Sequence, residues 1–218
     1  QLNGKQSLAI GFQIRHATAY RQMVERIQRG DIGDLITVQL YYFSSGSELI
    51  DIKNVSYDEY RIRNHYHFRA MSGDTILDQG IHMLDVCNWA LKAHPISAIG
   101  RGNRTGMRPV GDTFGNFAVI YEYPNYVNVS IHTTKVGPTF ADVCCKFIGT
   151  KGYAEAHYSG GVFINGDNKW DSGIAKTEAE LTPQQRASGV FASALGDADA
   201  NKDIAFVKSI ETGQYINE

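Results

Sequence analysis

Apolar and polar positions along the chain change their period several times, and each change marks an element. The short apolar run SLAIGFQI, residues 7–14, predicts a strand. From Thr18 onward Tyr20, Met23, Val24 and Ile27 recur at helical spacing, and Gly30 supplies the stop. The segment LITVQLYYF then alternates without strong polarity, which predicts a long strand covered on both faces for part of its length. Residues 44–70 keep no clean period and read as a long excursion. Residues 72–92, SGDTILDQGIHMLDVCNWALK, predict one helix that is apolar almost all the way round. Beyond Pro95 come PISAIGRG, FGNFAVIYEYP, YVNVSIHTTK, ADVCCKFIGT, GYAEAHY and GVFING, separated by Gly, Pro or Asn. That spacing predicts an antiparallel meander, with Pro124 and Asn125 at a hairpin turn. Residues 171–198 are polar and predict a loose surface wrap. A last amphipathic helix places Ile204, Val207 and Ile210 on a shared side and stops at Gly213. The order predicts an α+β fold: an open, mostly antiparallel β-sheet with helices packed on one face.

Within the apolar helix, Asp78, His82, Asp85 and Trp89 are spaced by four, three and four residues. At about 100° per residue these positions fall within roughly 60° of one another, a narrow stripe. Burying two carboxylates and an imidazole on one line is costly unless they have partners or a task. A His beside a carboxylate is held in one orientation and can exchange a proton with a substrate hydroxyl near neutral pH. The plainer alternative makes Asp78 a helix cap and His82 a satisfied core histidine. Asp74 is better placed to cap, which leaves Asp78 available.

Composition narrows the classes. A chain of 218 residues that is 43% apolar and 20% charged can bury a sizeable core, as one large or two small domains. A net charge of -2 with scattered basic residues gives no footprint for nucleic acid or an anionic membrane surface. No run reaches the length of a membrane span. Cys87, Cys144 and Cys145 make no disulfide framework, and the adjacent pair would point to opposite faces of a strand. Reduced thiols point to a cytoplasmic location, with export left open because Gln1 is not a natural start. The sequons at Asn54, Asn103 and Asn128 are too short a pattern to weigh.

Other chemistry is weaker. Arg61, Arg63, His65, His67 and Arg69 cluster in the excursion, as a solvated loop or as contacts for a polar substrate. His65, His67, Asp78 and His82 have the ligand types of a zinc site, without an HExxH or CxxC pattern, so no metal is expected. GRGNRTG, residues 100–106, contains G-x-G but lacks the third glycine and a following helix, and reads as a basic loop between strands. No Ser sits in a G-x-S-x-G elbow.

The stretch ILDQGIHMLDVCNWAL resembles the signature of the C-terminal domain of the Gfo/Idh/MocA oxidoreductases, the glucose-fructose oxidoreductase and inositol dehydrogenase superfamily. LAIGFQIRHATAYRQMVERIQRGDIGDLITVQ is similar to that family's last Rossmann strand, its Arg, the following helix and the turn into the sheet. FIGTKGYAEA and the terminal IETGQYINE resemble later family segments, so the likeness runs over nearly the whole chain. It implies a glyceraldehyde-3-phosphate dehydrogenase-like C-terminal domain at residues 15–218, preceded by residues 1–14 as the end of a Rossmann domain. It implies an NAD- or NADP-dependent oxidoreductase acting on a sugar, inositol or related polyol. In that scheme Asp78 and His82 are catalytic, and Asp85 and Trp89 are structural. Arg15 lies near the cleft, and Arg63, His65, His67 and Arg69 approach the substrate. It also implies subunit contacts through the sheet, in a homodimer or higher oligomer.

The family's dinucleotide fingerprint and its E-K-P lysine match nothing here, because Lys5 sits in the turn NGKQ before the first strand. The chain also stops at Asn217 and Glu218, ahead of the family's usual C-terminal segment. The expectation is a fragment that by itself binds no dinucleotide and is inactive. Two other functions fit the same fold: a non-catalytic sugar-binding or scaffold module, and an enzyme that uses transient NAD oxidation to cleave glycosidic bonds.

Overall fold

The computed structural model describes residues 6–46, 48–136, 141–174 and 194–216 of the chain. They fall into two compact units, one of the described residues within 34–150 and the other of residues 6–33 with the described residues after 150.

The first of these is built on β1 (Leu35–Ser44), the long strand of the alternating segment. It is joined by β2 (Ser97–Asn103), β3 (Asn116–Tyr123), β4 (Val127–Lys135) and β5 (Asp142–Gly149) in the order β2-β3-β4-β1-β5. Asn125 at the β3–β4 turn takes a left-handed conformation (φ 63°), as the hairpin reading requires. The simple meander is corrected at one point. β1 inserts between β4 and β5, parallel to β4 from Thr37 opposite Asn128 to Ser44 opposite Lys135, and antiparallel to β5. A central strand with both neighbours far away in sequence buries more of itself than an edge strand can, which accounts for the weak polarity of its alternation.

That register puts Val38 and Leu40 beside Val129 and Ile131 on one side and Phe147 and Cys145 on the other, all fully buried. The helix α4 (Ile81–Leu91) packs on this face with Met83, Val86, Cys87 and Ala90 inward. Cys87 is enclosed well enough that burial pushes its thiol up to about 12, so it is an inert core residue. All three cysteines are buried, and none forms a disulfide. The opposite face of the sheet is open, with Ile99 and Ile120 at 76% and 51% exposure.

The expected structureless excursion is partly helical. It holds α2 (Tyr57–Arg63), whose N-cap Ser56 accepts a hydrogen bond from the Glu59 amide, a 3-10 turn at His65–His67 and the short α3 (Arg69–Ser72). Its polar caps form helix too short for an apolar period to register.

In the second unit α1 (Thr18–Arg29) buries Tyr20, Met23, Val24 and Ile27 and ends at left-handed Gly30 (φ 90°), as its pattern predicts. It packs on β6 (Gly152–His157) and β7 (Val162–Gly166), which continue to the two-residue β8 (Trp170–Asp171). Arg26 lies over the Trp170 ring, 4.5 Å from its centroid. The strand expected at residues 7–14 is not formed. Leu8 makes a single bridge to the Ile216 carbonyl, and left-handed Gly11 (φ 83°) turns the backbone into a 3-10 helix at Gln13–His16. The last helix, α5 (Ala198–Thr212), packs against that 3-10 turn, and its Asn201 donates to the His16 carbonyl. Its apolar side is exposed, with Ile204 at 63% and Val207 at 51%. The polar wrap expected at 171–198 falls largely on 175–193, outside the described residues, as do Lys5, Asn217 and Glu218. Among the described residues no helix is long and apolar enough to cross a membrane.

Candidate functional site

The stretch expected as one helix from 72 to 92 is broken at its start. Gly73 (φ 74°) and Asp74 (φ 68°) are both left-handed, and the chain then makes a π-helical turn at Ile76–Gly80 before α4 begins. Asp74 does not cap: its carboxylate accepts the Phe114 amide at 2.9 Å and ties the helix start to the loop before β3. A π turn is rare and recurs at functional sites, because it aims side chains that a regular helix would hold elsewhere. Here the sequence reason lies at Gly80. A Cβ on Gly80 would sit 3.1 Å from the Thr133 methyl and 3.4 Å from Ile131, so glycine lets the turn lie this close to β4 without either side chain giving way.

That approach delivers Asp78 to the end of β4. Its Oδ2 accepts a hydrogen bond from Lys135 Nζ at 2.8 Å, with the two side chains only 20% and 5% exposed. The Lys135 ammonium also lies 4.0 Å from the centroid of the Tyr66 ring, a cation–π arrangement that favours a desolvated cation. Lys135 and Tyr66 are residues of the candidate site that motif-led reading misses. The signal for Lys135 is in the pattern: Val127, Val129, Ile131 and Thr133 are the buried phase of β4, and Lys135 continues it. A lysine at a buried phase needs a partner.

His82, in the first turn of α4, is half-buried. Burial pulls its imidazole below the ordinary value of 6.5, against the opposing fields of Asp85 and, more weakly, Asp78. At neutral pH it is therefore an uncharged base. His67 is buried and also depressed, by desolvation above all, with the Glu48 carbonyl opposing and the cations Lys135, Arg108 and Arg104 adding to the effect. Together these residues form one polar cluster at the end of β4, a neutral histidine near an ion-paired carboxylate. It can accept a hydroxyl proton and hold a polar substrate.

The other residues expected to touch substrate are placed differently. Arg63 forms an ion pair with Glu59 one turn back in α2, at 2.9 Å, and Arg69 lies 4.0 Å from Asp112. His65 is exposed and stands against the Tyr66 ring at 4.0 Å. Arg15 is in the 3-10 turn of the other unit. His65, His67, Asp78 and His82 do not converge as a metal site would: no three of their ligand atoms lie within 4.8 Å of one another. Asp85 is buried on α4.

The sequence profile of the GFO/IDH/MocA C-terminal domain matches residues 20–155, well over half of the chain. The chain belongs to the GFO/IDH/MocA family. Its match contains the whole of the π turn, α4 and β4, so the cluster lies inside the family domain. Family members among solved structures share the fold. Myo-inositol 2-dehydrogenase from Lactobacillus plantarum is 17% identical, with a TM-score of 0.63 over 99% of this chain and 57% of that one. GenD2 from gentamicin A biosynthesis, solved in complex with NAD, is 17% identical, with a TM-score of 0.66 over 97% and 56%. KijD10, a 3-ketoreductase from Actinomadura kijaniata solved with NADP and TDP-benzene, is 14% identical, with a TM-score of 0.62 over 95% and 55%. The chain thus spans a little over half the length of these structures. No curated protein matches it.

In this GFO/IDH/MocA domain the G-x-G at 100–102 does not provide a dinucleotide cradle. Gly100 and Gly102 lie inside β2, where a Cβ would meet Val119 at 2.7 Å and Phe117 at 2.6 Å. They serve close strand pairing rather than a phosphate turn, which also corrects the reading of 100–103 as loop.

Proposed function

We propose that this chain forms the substrate side of the active site of an NAD(P)-dependent oxidoreductase acting on a sugar, inositol or related polyol. The observation that carries the proposal is His82, a half-buried imidazole kept neutral beside the ion-paired Asp78. Neutral imidazole is the form that can take the proton from a secondary hydroxyl as that carbon is oxidised, and the imidazolium can return it in the reverse reaction. Asp78 accepts a hydrogen bond from substrate or fixes the reacting hydroxyl, while Lys135 balances its charge. A bound nicotinamide would supply the hydride acceptor. The open sheet face would carry subunit contacts. The structural relatives include a myo-inositol 2-dehydrogenase and a 3-ketoreductase, which supports this substrate class.

The test is turnover of the full-length protein with NAD+ or NADP+ over a panel of hexoses, inositols and acyclic polyols, for the wild type and His82→Asn. Loss of general-base catalysis predicts a fall in kcat of about 10²- to 10⁴-fold. Undiminished turnover by the variant would remove His82 from the chemistry. Tight sugar binding with no turnover would favour the binding-module reading.

A further inference from the structure

Lys135 presents a combination that the proton-relay reading does not account for. It is an ammonium at 5% exposure, on the last residue of a central sheet partner, with a carboxylate on one side and an aromatic face on the other. Its carboxylate is Asp78, four residues before His82, and the Asp78 field adds to the larger one of Asp85 in raising that imidazole's proton affinity. A carboxylate drawn to an imidazole stabilises imidazolium and makes a poor base of it at neutral pH. A carboxylate engaged by an ammonium does so much less.

We infer that Lys135 is a positioning residue of this site, which engages Asp78 so that His82 stays a neutral base. The inference rests on the proposed proton-accepting role of His82 and adds to it the group that sets its protonation state. The Tyr66 ring, with its centroid 4.0 Å from the ammonium, gives Lys135 a second contact beside Asp78. The charged and titratable groups around the pair are Asp78 on the π turn, Asp85 on α4, His67 on the 3-10 turn, and Arg104 and Arg108 on the loop after β2. The two histidines report separately: His67 feels the Lys135 charge directly, whereas His82 feels Asp85 and, more weakly, Asp78.

The experiment is a histidine titration by NMR on the whole protein carrying isotope-labelled histidine, with His67→Asn and His82→Asn assigning the signals. In Lys135→Met both imidazoles are expected to titrate higher, His82 by about one unit as the freed Asp78 carboxylate turns to it. In an Asp78→Asn background, Lys135→Met should still move His67 but leave His82 in place. An unmoved His82 in Lys135→Met, or an equal shift of His82 in both backgrounds, overturns the inference. Should Lys135→Met not fold, Asp78→Asn alone decides: it should lower His82 by less than about 0.3 unit, and a drop of one unit or more would show that Asp78 already serves His82. These titrations need no turnover, so they stand or fall apart from the redox reading of the site.

Discussion

Two regions of this molecule hold oppositely charged side chains at hydrogen-bonding distance, and they differ in almost every consequence. At the end of β4, Lys135 and Asp78 meet at 2.8 Å with little water in contact. On α2, Arg63 and Glu59 meet at 2.9 Å with side chains 57% and 43% exposed. The Coulomb attraction is alike in form, but water screens the second pair and replaces either partner when the other is lost. In the first pair neither partner has such a substitute, so removing one strands the other. A distance therefore says little by itself: the medium decides whether an ion pair decorates a helix or constrains a site.

That contrast can be broken by mutation, and the largest effect is expected at Lys135. Lys135→Ala leaves the Asp78 carboxylate without its cation and should cost about 3 kcal/mol in denaturant unfolding, whereas Asp78→Asn with Lys135→Met together should restore most of it. A double variant no better than Lys135→Ala would mean the loss comes from packing rather than stranded charge. Next is Gly80→Ala. Its methyl must displace Thr133 or push the π turn off β4, for roughly 1–3 kcal/mol by the same measurement. An unchanged midpoint would show that the close approach is not required.

Acidification sharpens the comparison in a different way. His82 and His67 titrate below the ordinary histidine value of 6.5 in the folded chain, so between the two values the unfolded chain binds more protons. Their contribution to stability is complete above about pH 6.5 and is lost as the pH falls through that window. The unfolding midpoint should decline between pH 7 and pH 5, and the decline should shrink in His82→Asn. The smallest effects belong to the surface: Arg63→Ala and Arg69→Ala should each change stability by no more than about 0.5 kcal/mol, and less at high salt. A loss of several kcal/mol at either would erase the distinction between the two regions.

How much of this is legible in the chain itself depends on range. Local alternation marks β2 through β7, and the 3.6-residue period with Gly30 marks α1, because each pattern records burial within a few residues. The insertion of β1 between β4 and β5 is absent from any local pattern, since Thr37 pairs with Asn128 across an interval the period does not span. The π turn is hidden for a related reason. Asp78 and His82 look like neighbours on an ideal helix, and only the contact of Gly80 with Thr133 shows why the backbone opens. Lys135 was within reach of sequence reasoning, because it extends the buried phase of its strand. Motif-led reading instead weighs the arginines of the excursion, whose partners Glu59 and Asp112 are visible only in three dimensions.

The central claim is that a neutral His82 handles the substrate proton, and the dependence of kcat/KM on pH in the full-length protein tests it most directly. Activity in the oxidation direction should rise through an ionisation below 6.5 and stay level above it, and His82→Asn should abolish that acid limb along with most of the rate. An acid limb centred above 7, or one that persists unchanged in His82→Asn, would contradict the account.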